Sequence, residues 1–255
     1  MGIAINRRRF AVRALELVGV SLLAGCERVH PYRWLMRLFR PVESATRLAQ
    51  SLLTPPGALA REFSEADRSS VFPSNGTTSP DEPAYQAHVR RGFVDWRLEV
   101  GGLVERPAVF SLEELRRLPS RTQITRHDCV EGWSAIAKWR GARLSALLAE
   151  VGVRPDARYV VFYCVDPMDD EANRYYESID LEEARHEQTI LAYEMNDRAL
   201  PVQHGAPLRL RVERQLGYKM AKYVMRIALV SSFDAIGDGR GGYWEDRDYE
   251  WYAGI

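Results

Sequence analysis

The stretch Arg126-His127-Asp128-Cys129-Val130-Glu131-Gly132-Trp133-Ser134 holds the residues best suited to chemistry in this chain. A thiolate is the form of cysteine that attacks substrates and binds metals, and nearby positive charge favours it. Arg126 and His127 are expected to act on Cys129 in this way. Residue types alone leave three roles open for Cys129: an inert core residue, a nucleophile served by His127 or His204 as base, or a ligand to a soft metal. Two further stretches suit anions. Gln203-His204-Gly205-Ala206-Pro207-Leu208-Arg209 combines the planar donor fork of arginine, which matches phosphate, with a glycine that lets backbone approach a ligand closely. In Gly217-Tyr218-Lys219-Met220-Ala221-Lys222, successive backbone N–H groups can cradle an anion, with a lysine as point charge. Taken alone, Arg209 fits a solvent-facing strand position equally well. Asp166, Asp169 and Asp170 form an acidic loop to which no role is assigned.

The elements that must hold these residues follow from periodicity. Val94, Trp96, Leu98 and Val100 alternate with polar residues and predict a strand from Phe93, ended by Gly101-Gly102. Ser111 and Glu114 predict a capping box and a short helix. Thr122 to Thr125 predicts a strand running into Cys129, and Arg143 to Val151 a helix stopped by Gly152. The apolar run Tyr159 to Val165 predicts a buried strand. Asp180 and Glu183 predict a second capping box. Thr189 to Glu194, Leu208 to Val212 and Lys222 to Val230 complete the strands. Short helices among many strands define an α+β chain with a mixed β-sheet core. Residues 71–84, rich in proline, read as a loop entering the main domain, 71–236.

The 35 basic and 35 acidic residues cancel, so no global field draws the chain to nucleic acid and any anion site is local. Cys26, Cys129 and Cys164 match no zinc spacing and form no even disulfide framework. Residues 1–26 read as an export segment: Asn6-Arg7-Arg8-Arg9-Phe10 resembles a twin-arginine signal, and Leu23-Ala24-Gly25-Cys26 a lipobox. The expected location is periplasmic, with Cys26 as a lipid anchor. Residues 27–70 read as a linker or amphipathic helix carrying Trp34, Leu35, Leu38 and Phe39.

Cys129-Val130-Glu131-Gly132-Trp133-Ser134, followed by Trp139 and Gly141, resembles the molybdenum-binding segment of the sulfite-oxidase family of molybdopterin oxidoreductases. The likeness is nearest to its bacterial branch, which includes the periplasmic methionine-sulfoxide reductase catalytic subunit. It runs from about Phe72 to about Ser231, with the landmarks in order. The resemblance implies the sulfite-oxidase molybdopterin-binding fold, with molybdenum and a single molybdopterin as cofactors and Cys129 as metal ligand. It implies a pterin pocket to which Asn75, Cys164, His204, Arg209, Met220, Ala221 and Lys222 contribute, Lys222 holding the phosphate. The family's active-site tyrosine falls at Tyr175 or Tyr176, and Tyr175 is preferred. Ser74 stands where animal and plant sulfite oxidases have a substrate-binding arginine, which speaks against sulfite as substrate. The reaction implied is oxygen-atom transfer to or from a small sulfur-containing substrate. No Cys-x-x-Cys-His haem motif occurs, so a separate haem or cytochrome partner is expected. The tail 237–255 is too short for the family's dimerisation domain and is expected to pack on a monomer.

Overall fold

Alternation along residues 97–100 buries Leu98 and Val100 and exposes Arg97 and Glu99. This half-buried pattern recurs through the chain and builds two five-stranded sheets. The computed structural model describes residues 55, 57–168 and 174–255, all within the unit Gln50–Ile255. The export segment, Cys26 and the Trp34–Phe39 stretch lie outside the described residues, as do Asp169 and Asp170.

The first sheet has the order β2-β1-β10-β5-β6, from Ala108–Ser111, Arg97–Gly102, Val224–Val230, Tyr159–Pro167 and Arg174–Asp180. β1 and β10 run parallel and the other pairs antiparallel. The second sheet has the order β3-β4-β7-β8, from Ser120–Asp128, Ser134–Arg143, Ile190–Met195 and Arg198–Ala199, with β9 (Arg209–Arg211) also on β7. Among the described residues four short helices complete the fold: α1 Pro83–Arg90, α2 Leu112–Arg117, α3 Leu144–Val151 and α4 Leu181–Arg185. The largest core gathers Trp96, Leu98, Leu115, Leu144, Leu147, Phe162 and Ile227, so it lies where α2 and α3 meet the first sheet. A smaller one, around Ala137, Trp139, Ile190 and Ala192, supports the second.

Local chemistry accounts for the element ends. Ser111 and Glu114 exchange both bonds of the capping box, Glu114 N–H to Ser111 Oγ at 3.2 Å and Ser111 N–H to Glu114 Oε2 at 2.7 Å. The Asp180 box is only half made. Asp180 accepts from Glu183 N–H at 2.8 Å, but the Glu183 carboxylate turns to Arg214. β1 starts at Arg97 rather than Phe93, because Phe93 takes φ +62° in the turn after α1 and leaves Val94 exposed. The loop read over 71–84 ends early, since Pro83 opens α1, where its missing N–H costs nothing.

The segment before residue 70 pairs with the second sheet. Phe63 N–H donates to Ile124 C=O at 2.9 Å, and Ser69 N–H to Ile136 C=O at 3.0 Å. Its only helical piece among the described residues is a single turn, Glu65–Asp67. At the other end, Leu216 N–H donates to Ala253 C=O at 2.9 Å and Trp251 Nε1 to Ser178 Oγ at 2.8 Å, which ties residues 237–255 to the strands.

Candidate functional site

β3 and β4 form a hairpin whose last pair is Asp128 and Ser134, leaving residues 129–133 as its loop. Cys129 N–H donates to Trp133 C=O at 2.9 Å and Gly132 N–H to Cys129 C=O at 3.0 Å. Gly132 takes φ +88°, a conformation that costs glycine little. Cys129 is held near the surface but covered, and it lines a cavity of about 240 Å³. Asn75, Tyr175, Met220 and Lys222 line the same cavity, with Glu131, Asp166, Met168, Trp244 and Tyr249. Five residues singled out from sequence thus converge from four parts of the chain.

The others stand differently. Tyr176 bonds Asp246 and lines, with Cys164, an open cleft of about 750 Å³ on another side of Tyr175. Of the two tyrosines, only Tyr175 lines the Cys129 cavity as well as this cleft. Cys164 is absent from the Cys129 cavity wall; it pairs with Val224 across β5 and β10, and burial, then Asp166 and Glu177, push its thiol well up. His204, Arg209 and Ala221 are also absent from that wall, though Arg209 is coupled electrostatically to Cys129, Lys222 and His204.

The charges that matter are buried. β9 turns Arg209 and Arg211 inward, and neither has measurable exposure. Arg211 is neutralised by Glu213 through two bonds, 2.8 and 2.6 Å. Arg209 has no such partner. Its Nη1 reaches the His204 carbonyl at 3.3 Å, while Nε and Nη2 are buried without any acceptor. Both guanidiniums lie over Trp139, at 4.4 Å for Arg211 and 5.4 Å for Arg209. Burial, then Arg211, pulls Arg209 down to about 9. Lys222, pulled to about 8 by burial and then by Arg209, gives two of its hydrogens to the Asn75 and Thr77 carbonyls at 2.6 Å. An uncompensated buried cation of this kind costs several kcal/mol unless an anion completes it.

His127 supplies a further orphaned donor. Arg211 donates to its Nδ1 at 3.0 Å, so the ring hydrogen sits on Nε2, which has no partner. This overturns the expected activation of Cys129. Burial and then Arg209 and Arg211 hold His127 neutral, and strand alternation sends Arg126 outward to Asp128. Burial instead raises the Cys129 thiol, partly offset by the Glu131 backbone N–H. Among the described residues Cys129 bonds neither His127 nor His204; its thiol faces the Glu131 carboxylate, which also disfavours the thiolate. A metal bound at this sulfur would remove its proton outright.

Two glycines have roles that residue types did not disclose. A Cβ on Gly205, which takes φ +106°, would meet Lys222 Cβ at 2.8 Å, so this glycine admits the lysine stem rather than a ligand. A Cβ on Gly217 would strike the His127 ring at 2.5 Å. Phe72 was legible only as part of a weak motif. It contacts His127, Trp133, Trp139 and His204 at ring distances of 5.4 to 5.8 Å, and so anchors the 72–75 segment to the site.

Mixed sheets with a cysteine-bearing hairpin and a buried, unpaired arginine suit a protein that holds an anionic group close to that hairpin. Residues 86–234 match the oxidoreductase molybdopterin binding domain, and the chain belongs to that family. It is 38% identical over 254 residues to a putative protein-methionine-sulfoxide reductase subunit YedZ1 of Azospira oryzae, covering 97% of this chain and 87% of that one. It is 37% identical over 234 residues to the protein-methionine-sulfoxide reductase catalytic subunit MsrP of Xanthomonas axonopodis pv. citri, covering 88% and 70%. The crystal structure of the sulfane dehydrogenase SoxCD from Paracoccus pantotrophus superposes with TM-score 0.50 at 27% identity, covering 59% of this chain and 45% of that one. This chain therefore spans less than half of that solved structure. The protein is a molybdenum–molybdopterin oxidoreductase of the sulfite-oxidase type that transfers an oxygen atom to or from sulfur.

Proposed function

We propose that the chain reduces S-oxides, with methionine sulfoxide as its substrate, and that Cys129 is the protein ligand of its molybdenum. The observation that carries the cofactor reading is Arg209: a buried guanidinium with two orphaned N–H atoms fits the phosphate of a pterin. Arg209 and Lys222 would hold that phosphate, and Asn75, His204, Met220 and Ala221 would frame the organic part. When bound, the cofactor supplies a metal that takes or gives an oxygen atom as it changes oxidation state. The chain's own part is to fix the thiol, shield the site from water and present Tyr175 to the substrate oxygen.

The cavity wall supports a neutral substrate. Glu131 and Asp166 stand there, no arginine does among the described residues, and Val130, Met168, Trp244 and Tyr249 give it an apolar rim. A doubly charged sulfite would meet those two carboxylates, while Lys222, the cation on that wall, already gives two hydrogens to the Asn75 and Thr77 carbonyls and is assigned here to the cofactor phosphate. A dipolar sulfoxide on an apolar stem suits the same wall, and both relatives named above are described as methionine-sulfoxide reductases. Those names also describe subunits, which supports a separate electron donor; a membrane haem protein suits a chain without its own haem motif. Arg7-Arg8 and Leu23-Ala24-Gly25-Cys26 support export of the folded protein and lipid anchoring at Cys26, outside the described residues. We read the protein as a monomer that works in the periplasm.

The test is an assay of the cofactor-loaded protein with a reduced dye as donor. Methionine sulfoxide, free and in a peptide, is reduced, while sulfite with an oxidising dye gives negligible turnover. Sulfite oxidation at a kcat/KM equal to that of sulfoxide reduction would refute this reading.

A further inference from the structure

Behind Tyr175 lies a charge cluster that the cofactor site does not use. Lys219 Nζ donates to Glu177 Oε1 at 2.5 Å and to Glu245 Oε1 at 2.6 Å, and all three side chains are essentially without exposure. Glu177 Oε1 also accepts Ser178 N–H at 2.7 Å. Glu245 Oε2 is buried with no partner. Glu177 Oε2 faces the Tyr175 hydroxyl at 3.4 Å, and that hydroxyl also donates to the Tyr218 carbonyl. The neighbours are Cys164 from β5, Tyr176 from β6, Tyr218 beside Lys219, and Tyr243 and Trp251 from the tail, Trp251 with its ring under Lys219 at 5.3 Å. Among the described residues, Lys219 is the cation that pairs with Glu177.

Two carboxylates around one ammonium carry a net negative charge if both ionise, and a site without water does not tolerate this. We propose that Glu177 holds a proton in the resting enzyme and, through Tyr175, delivers it to the oxygen leaving the substrate in the Cys129 cavity. Burial and then Glu245 raise the Glu177 carboxyl well above its usual range, in agreement with the geometry. Reducing a sulfoxide breaks the S–O bond and consumes two electrons from the redox partner and two protons, giving sulfide and water. In the relay, the Tyr175 O–H hydrogen passes to the departing oxygen. The Glu177 O–H hydrogen replaces it, and the electron pair stays briefly on the Glu177 carboxylate, which accepts from Lys219 and the Ser178 N–H. Solvent supplies the second proton and restores Glu177. The 3.4 Å separation is long for a transfer, as such contacts often are before substrate closes the site. The inference rests on oxygen-atom transfer at the cavity, and its test reads the proton directly.

The variant Glu177→Gln leaves Lys219 paired with Glu245. Infrared difference spectra of the holoenzyme, wild type minus Glu177→Gln at neutral pH, should show a protonated-carboxyl stretch that shifts in deuterium oxide. Glu245→Gln should abolish that stretch although Glu177 is present, since Glu177 then ionises against Lys219. In turnover, Glu177→Gln should lower kcat on the order of a hundredfold at unchanged KM and flatten the pH profile. A difference spectrum that shows a lost carboxylate instead, or a variant that keeps the wild-type kcat and pH profile, overturns the proposal. If the protonated stretch is present while methionine sulfoxide is not reduced, the proton assignment stands and the substrate reading fails.

Discussion

Arg209 states the logic of the site at the scale of one residue. Its guanidinium is buried, close to a second arginine, and left with two unpaired N–H atoms. Folding alone gains nothing from such a charge, because removing it from water costs more than the contacts it makes return. The variant Arg209→Leu should therefore leave the melting temperature of the cofactor-free protein unchanged or raise it. Molybdenum content should fall at least about tenfold, the loss expected for one buried charge-assisted contact. A lower apoprotein Tm with retained molybdenum would contradict this. His204 gives a second signature. Burial, then Arg209 and Lys222, holds it down at about 4 against an ordinary value of 6.5. Between those values the unfolded chain binds more protons than the folded one, so stability falls as pH drops. Calorimetry on the apoprotein should show Tm declining from pH 6.5 to 4, less steeply in His204→Asn. Equal slopes would remove His204 from this role.

The strands make these residues converge, and their legibility varied for physical reasons. Strong alternation and apolar runs announced β1, β5, β7, β9 and β10, while serine, aspartate and glycine marked helix ends. β4 was missed because Ala135, Ala137 and Gly141 bury little apolar surface, although they alternate in register with β3. β6 was hidden by Glu177 and Ser178, polar residues made buriable only by Lys219 and the tail. Gly141 looked like part of the cysteine motif, yet its work is in the sheet. A Cβ there would lie 2.2 Å from the Leu191 carbonyl oxygen, at the register shift between β4 and β7. Gly141→Ala should destabilise the fold by about 2 kcal/mol, measured by denaturant unfolding, since backbone cannot yield cheaply. A change near zero would mean the two strands part without cost.

For the molecule as a whole, charges sum to zero and the chemistry depends on where they are buried. Sequence motifs named Cys129, Tyr175, Asn75, Met220 and Lys222, and the fold brings all five to one cavity. Motifs could not show that His127 is neutral, that Arg211 is already paired while Arg209 is not, or that Glu177, Lys219 and Glu245 meet behind Tyr175. Those facts depend on contacts between residues far apart in the chain. All of them gain meaning from one proposed bond, between the Cys129 sulfur and molybdenum. X-ray absorption at the molybdenum edge, on wild type and Cys129→Ser loaded with cofactor, measures that bond directly. The account predicts one fewer sulfur around the metal in the variant, with a changed paramagnetic signal from the half-reduced state. An identical sulfur shell and signal in both proteins would contradict it.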